Sequence, residues 1–316
     1  MKKPTQAVDS KKIIRALLDN SQPFSPKNLH FFSDIQPSDL ISLEKIWTSV
    51  DLYRRRSILE DLESLQETDT LLCFDDFAVF ALKDDDPEVR SLAIRLLWES
   101  EDAHLIPRLI QLLENDPAAK VRAAAAGGLG KFVLLGETDE LPPGLFPEIV
   151  DRLINVLKEN KEQVIQLRAL ESLGYSSRED VIPFIQKACD HSEIKWLDSA
   201  LLAMGRSANR RWENQVTEML ENPNVQIRTK ATWAAGELEL VSARKLLIDL
   251  AKDESEDDEV RLAAIWSLSQ IGGEDAHEAL EELVESCEDE DMAEILEEAL
   301  DNLSFTDDLH KFSMIL

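Results

Sequence analysis

Val89–Trp98 reads VRSLAIRLLW, and Val121–Gly130 reads VRAAAAGGLG. In both, a β-branched residue is followed by arginine, alanine stands fifth and leucine ninth. Four residues advance the chain about 400° around a helix axis, so the first, fifth and ninth positions share one face. Such a face needs a neighbour. Alanine in its middle lets a second helix approach closely, and Val or Leu at either end fills the flanking space. The stretch therefore reads as one helix of a packed set.

The pattern returns along the chain. It continues as IQLRALESLG from Ile165, WLDSALLAMG from Trp196, IRTKATWAAG from Ile227 and VRLAAIWSLS from Val260. Weaker copies are RRRSILEDLE from Arg54 and ILEEALDNLS from Ile295. The fifth positions fall at Ile58, Ala93, Ala125, Ala169, Ala200, Ala231, Ala264 and Ala299, with one long interval among otherwise similar ones. A period of about 20–50 residues decides an architecture before any single element does. Second amphipathic segments precede these helices, as in IPRLIQLLEN from Ile106, VIPFIQKACD from Val181, ARKLLIDLAK from Ala243 and HEALEELVES from His277. Between the two stand DDDPEVR, ENDPAAKVR and ENPNVQIR, where Asp or Asn and Pro stop one helix and cap the next.

The expected fold is an all-α solenoid of about eight helix pairs over residues 37–304. Residues 1–36 are expected to cap its first repeat, and 305–316 to form a C-terminal tail. The long interval comes from an insertion at 134–148, LLGETDELPPGLFPE, whose prolines exclude one continuous helix. It reads either as longer helices joined by a loop or as a loop that contacts a partner.

The pattern D-P-x-V-R-x-x-A-x-x-x-L-G resembles the HEAT repeat, in the short variety of the phycobilisome lyases. The resemblance implies stacked hairpins in a right-handed superhelix, with the first helix of each pair outside and the second lining a concave surface. Gln166, Leu197 and Leu296 depart from it, standing where the family's arginine would be. Solenoids of this kind serve as scaffolds, transport receptors, lyases and a type of DNA glycosylase, so the resemblance fixes fold and not activity.

Charge narrows the field. There are 63 acidic residues against 34 basic, giving −29, and residues 249–301 hold 21 of the acids against Lys252 and Arg261 alone. A nucleic-acid binder needs a basic stripe to neutralise phosphate, and this surface repels phosphate. Nucleic acid is therefore not an expected partner. The same charge favours solubility and a monomer. The MKKPTQAVDSKK start precedes no apolar run long enough for a signal peptide or membrane span, which predicts a cytoplasmic chain without a membrane partner. Cys73, Cys189 and Cys287 are scattered, which fits buried thiols in a reducing compartment.

No catalytic set and no metal or cofactor site is expected. Cys189 and His191 are two apart on a helix and point in different directions. Gly127, Gly128 and Gly130 lie inside a repeat helix, where small size allows close packing, with no Lys-Ser/Thr after them for a phosphate loop. The tract from Glu285 to Asp291 lacks the order of a calcium loop. Arg90, Arg122, Arg228 and Arg261 recur at one repeat position and are assigned a structural role, pairing with the turns between helices.

The third and seventh positions of each second helix lie about 160° from the core stripe and should line the groove. They are Ser91 and Arg95, Ala123 and Gly127, Leu167 and Glu171, Asp198 and Leu202, Thr229 and Trp233, Leu262 and Trp266, and Glu297 and Asp301. Leu202, Trp233, Leu262 and Trp266 are expected to form an apolar patch, with Glu297 and Asp301 in the acidic repeats beside it. Trp beside Leu is the composition of binding hot spots, and acidic neighbours steer a basic partner. The alternative places both tryptophans folded over adjacent repeats. The expected function is a non-catalytic protein-interaction scaffold holding a helical or basic segment of a partner protein. A lyase or chaperone-like factor resembling the bilin lyases is the alternative.

Overall fold

The computed structural model describes residues 10–313, with side chains described to residue 306. Among the described residues every regular element is helical. They fall into two compact units, residues 1–169 and 170–316. The first holds α1 (Ser10–Leu18), α2 (Pro37–Glu44), α3 (Leu52–Thr68), α4 (Asp75–Ala81), α5 (Pro87–Leu96), α6 (Ile106–Asn115), α7 (Ala119–Glu137) and α8 (Leu145–Glu159). The unit boundary falls within α9 (Gln163–Leu173). The second unit continues with α10 (Ile182–Cys189), α11 (Ile194–Arg206), α12 (Glu213–Met219), α13 (Val225–Glu237), α14 (Arg244–Lys252), α15 (Asp258–Ile271), α16 (Glu274–Ser286) and α17 (Glu290–Ser313).

Each unit is a stack of hairpins. In the first, α4 packs on α5 and α6 on α7, while α3, α5 and α7 lie side by side. In the second, the pairs are α10 with α11, α12 with α13, α14 with α15 and α16 with α17, and α11, α13, α15 and α17 run side by side in turn. The fifth positions make this possible: Ile58, Ala93, Ala125, Ala169, Ala200, Ala231 and Ala264 are fully buried, and Ala299 nearly so. The turns use the expected chemistry. Asp86 accepts from the N–H groups of Glu88 and Val89 to cap α5, and Asn224 accepts from Ile227 N–H to cap α13.

Residues before the first repeat are tied to it by one arginine and a cluster of rings. Arg54 on α3 donates to the carbonyls of Ala16, Leu17, Asp19 and Gln22, closing the C-terminal end of α1. Phe32 is fully buried, with its ring centroid 4.3 Å from that of Phe77. Trp47 packs edge-on against Phe77 and Phe80.

The insertion takes one of its two expected forms, and other details depart from expectation. The insertion is a longer helix and a loop: α7 runs on to Glu137, residues 138–144 turn, and Gly144 takes the left-handed φ of 91° that starts α8. Phe146 then folds back against Gly136, leaving no room for a Cβ there. Residues 305–313 are the last turns of α17, because no Gly or Pro interrupts the chain after Glu290. Residues 314–316 of the expected tail, and 1–9 of the expected cap, lie outside the described residues. Cys73 is exposed and Cys189 and Cys287 only half-buried, so the thiols are not core residues; Cys73 sits in the connection between α3 and α4.

Ion pairs link successive turns. Arg55 donates to the buried Asp84, Arg56 to Asp86 in a two-point contact, Arg90 to Asp116 in another, and Arg228 to Glu256. Arg122 pairs with Glu162. Three of these arginines also donate to carbonyls of their own turn, Arg90 to Asp84 and Asp85, Arg122 to Asp116 and Arg228 to Asn222. Arg261 differs. It pairs with Asp258 of its own helix at 3.5 Å, and among the described residues its buried Nε has no hydrogen-bond partner. Asp289, just before α17, caps that helix by accepting from Met292 N–H.

The Arg56 guanidinium holds the Asp86 carboxyl below its ordinary range, and Arg228 does the same for Glu256. A carboxylate with a depressed folded pKa stabilises the fold above its unfolded pKa and loses that contribution as pH falls through the folded one. Asp86→Asn keeps the cap and removes the charge. The variant should be less stable than wild type by about 1 kcal/mol at pH 7. In urea titrations the gap should close as the pH falls below the ordinary aspartate range.

Candidate interaction surface

In the second unit the second helices meet through a recurring small-residue step. The tenth-position glycine of one helix faces the eighth-position residue of the next. A Cβ on Gly174 would lie 2.6 Å from Ala203 Cα, and one on Gly236 would lie 2.9 Å from Ser267 Cα. Gly205 faces Ala234 in the same way. Ser267 then donates through Oγ to the Thr232 carbonyl, and Ser199 to the Glu171 carboxylate at 2.6 Å. The close approach at Gly236 also leaves room for the ring of Trp266, the seventh-position residue of α15.

The result is an aromatic pair. The rings of Trp233 on α13 and Trp266 on α15 lie 4.3 Å apart, tilted by 44°. Trp266 is half-buried, its ring lying over Gly236, whereas Trp233 is 37% exposed. One tryptophan thus folds over its neighbour and supports the other, which reaches solvent. Beside Trp233 a pocket of about 170 Å³ opens between α11 and α13, lined by Leu201, Leu202, Lys230, Trp233, Ala234 and Glu237.

Leu202 and Trp233 therefore share one pocket, and Trp266 backs it. Leu262 is half-buried one turn before Trp266 and does not line it. Glu297 and Asp301 are exposed on α17. Two of the other expected groove positions are buried. Glu171 is 6% exposed because Ser199 of the next helix donates to it, and Ala123 is covered. Arg95 reaches back to pair with Glu63 of α3. Sequence reasoning missed Lys230 and Glu237, which flank Trp233 at three and four residues on the same helix. The i, i+3 and i, i+4 spacing was the available signal.

Glu237 is the unusual group. Its carboxylate lies against Gly205, in the space a Cβ would take. Glu237 is exposed as a residue, but protein packed around its carboxylate raises its pKa above the ordinary value, against the opposing pull of Arg206 and Lys230. Burial likewise raises the Cys189 thiol, which keeps it protonated.

The family model for HEAT repeats matches residues 76–143 and 213–301. The protein is a HEAT-repeat array. A chain of the CpcE–CpcF phycocyanin lyase complex from Nostoc sp. PCC7120 is similar in structure, with a TM-score of 0.50 at 20% identity over 72% of this chain and 94% of that one. The Escherichia coli protein YibA aligns over 96% of this chain and 99% of its own, with 15% identity and a TM-score of 0.46. Importin beta aligns over 93% of this array but 46% of its own chain, at 12% identity and a TM-score of 0.46. No curated protein matches the sequence. HEAT arrays present extended surfaces on which other proteins dock. Among the described residues of this one, no helix is long and apolar enough to cross a membrane.

Proposed function

We propose that this HEAT array is a non-catalytic scaffold that holds a helical, basic segment of a partner protein across α11, α13 and α15. The observation that carries the reading is Trp233: a large ring left partly in water, propped by Trp266 and bordered by a pocket. Aromatic anchors in such settings supply most of the energy of an interface, because they bury much apolar area at low entropic cost. The 21 acidic residues of 249–301 favour encounter with a basic partner and disfavour acidic ones.

Affinity capture followed by mass spectrometry, with wild type and Trp233→Ala compared side by side, tests the reading. A protein retained by wild type, lost with the variant, and rebound when purified would support it; identical captures would reject it. The variants must be chosen by burial. Trp266→Ala removes a ring packed on Gly236 and should cost about 1–2 kcal/mol of stability. Trp233→Ala should cost under about 1 kcal/mol, since more of its ring already meets water. Urea unfolding followed by circular dichroism separates the two.

The lyase reading rests on the shared fold alone, and mixing the protein with a tetrapyrrole tests it. A shifted absorbance band that survives denaturation would establish a covalent adduct.

A further inference from the structure

The pocket beside Trp233 contains an acid without a partner. Among the described residues no hydrogen-bond donor or cation is paired with the Glu237 carboxylate. The two cations that act on it at longer range are placed otherwise. Arg206 lies over the Tyr175 ring, 4.8 Å from its centroid, and donates to the Glu171 carbonyl. Lys230 lines the same pocket without forming an ion pair. Gly205 lets the carboxylate sit close against α11, and the indole of Trp233 and the side chain of Leu202 form apolar walls next to it. An unpaired carboxylate at the end of an apolar slot matches a side chain with a long methylene stem and a cationic head. Such stems cover apolar surface while the head seeks a charge, and the head gains further from an indole face.

We propose that the Leu202–Trp233–Glu237 pocket takes one arginine or lysine side chain of the docked partner, its stem on Trp233 and Leu202 and its cation on the Glu237 carboxylate. This rests on the docking reading above and adds to it the residue that sets specificity. The competing occupant is an acidic side chain bound to Lys230. The surrounding charge argues against it, since the neighbouring segment 249–301 has 21 acids against two bases.

The test uses the full chain and a fluorescein-labelled, 18-residue amphipathic helical peptide with leucines on one face and arginines flanking them. A matched peptide carries glutamine, and a third carries glutamate, in place of arginine. Fluorescence anisotropy should show the arginine peptide binding wild type more tightly than the glutamine one. Glu237→Gln should cut that preference by about fivefold, a large effect for one charge among 63. Bulk attraction to an acidic protein hardly changes on losing one acid, so this loss isolates the pocket. Lys230→Ala should tighten the arginine peptide by about two- to threefold, because it removes a repelling cation. An undiminished preference in Glu237→Gln would overturn the proposal. So would tighter binding of the glutamate peptide that disappears in Lys230→Ala. The docking reading fails separately, if no peptide binds or if Trp233→Ala leaves the binding of every peptide unchanged. Circular dichroism of each variant confirms that the helices are intact.

Discussion

Asp84→Ala should lower the stability of the first unit by about 3–5 kcal/mol, the largest effect expected of any single polar substitution in the array. The Asp84 side chain is fully shielded from solvent, and it joins three elements at once. It accepts from Trp47 Nε1 at 2.6 Å, from the Arg55 guanidinium, and from the backbone N–H of Asp86. Removing the carboxylate strands a buried indole N–H and leaves Arg55, itself only 12% exposed, as an unpaired charge in the interior. The loss is dominated by those orphaned groups and not by the net worth of the bonds, because a buried charge without its partner keeps its full desolvation penalty. Asp84→Asn would preserve one acceptor for Trp47 and should fall between the two. Thermal or urea unfolding followed by tryptophan fluorescence would measure this, with Trp47 reporting the opening of its own site. A loss below about 1 kcal/mol would mean that water replaces the carboxylate.

Much of the fold was legible because it depends on local pattern. A small residue at the fifth position of a helix is chosen by the distance to the next helix, so Ala93, Ala125, Ala200, Ala231 and Ala264 reveal the stack without reference to anything distant. Asp86 and Asn224 announce helix starts by the same local logic. Where a residue's role depends on which partner the next repeat supplies, the sequence was silent. Arg261 looks like Arg90 and Arg228, yet it pairs with Asp258 of its own helix and not with the next turn. Glu171 occupies a position that should face the groove, yet Ser199 draws it inside. The run from Glu290 onwards contains nothing that stops a helix, and its irregular apolar spacing concealed that.

The candidate surface was half legible. Helical arithmetic placed Leu202, Trp233 and Trp266 on one side of the array, but it could not assign them different tasks. That division comes from Gly236, where the missing side chain lets Trp266 lie flat, and from Gly205, where it makes room for Glu237. A glycine in a helix reads as a weakness in sequence. Its use appears only when the atoms facing it are known.

Gly236→Ala tests that use and should cost about 2 kcal/mol of stability in the second unit, net of the helix propensity that alanine gains. The new Cβ would lie 2.6 Å from Trp266 Cζ3 and from Ser267 Oγ, and 2.9 Å from Ser267 Cα. A rotamer change can relieve the first two contacts, but the third is backbone, so α15 must shift from α13. That shift would strain the bond from Ser267 Oγ to the Thr232 carbonyl and tilt Trp266 away from Trp233. The substitution should thus weaken both the fold and the patch, with urea unfolding reading the first and the near-ultraviolet circular dichroism of the indole pair the second. Gly127→Ala is the matched control. It lies in α7, and a Cβ there meets nothing within 4 Å. Alanine should therefore stabilise the first unit, by up to about 1 kcal/mol, because only the backbone entropy of glycine is lost. If both substitutions moved stability in the same direction, the helix contacts that distinguish these two glycines would not be what holds α13 to α15.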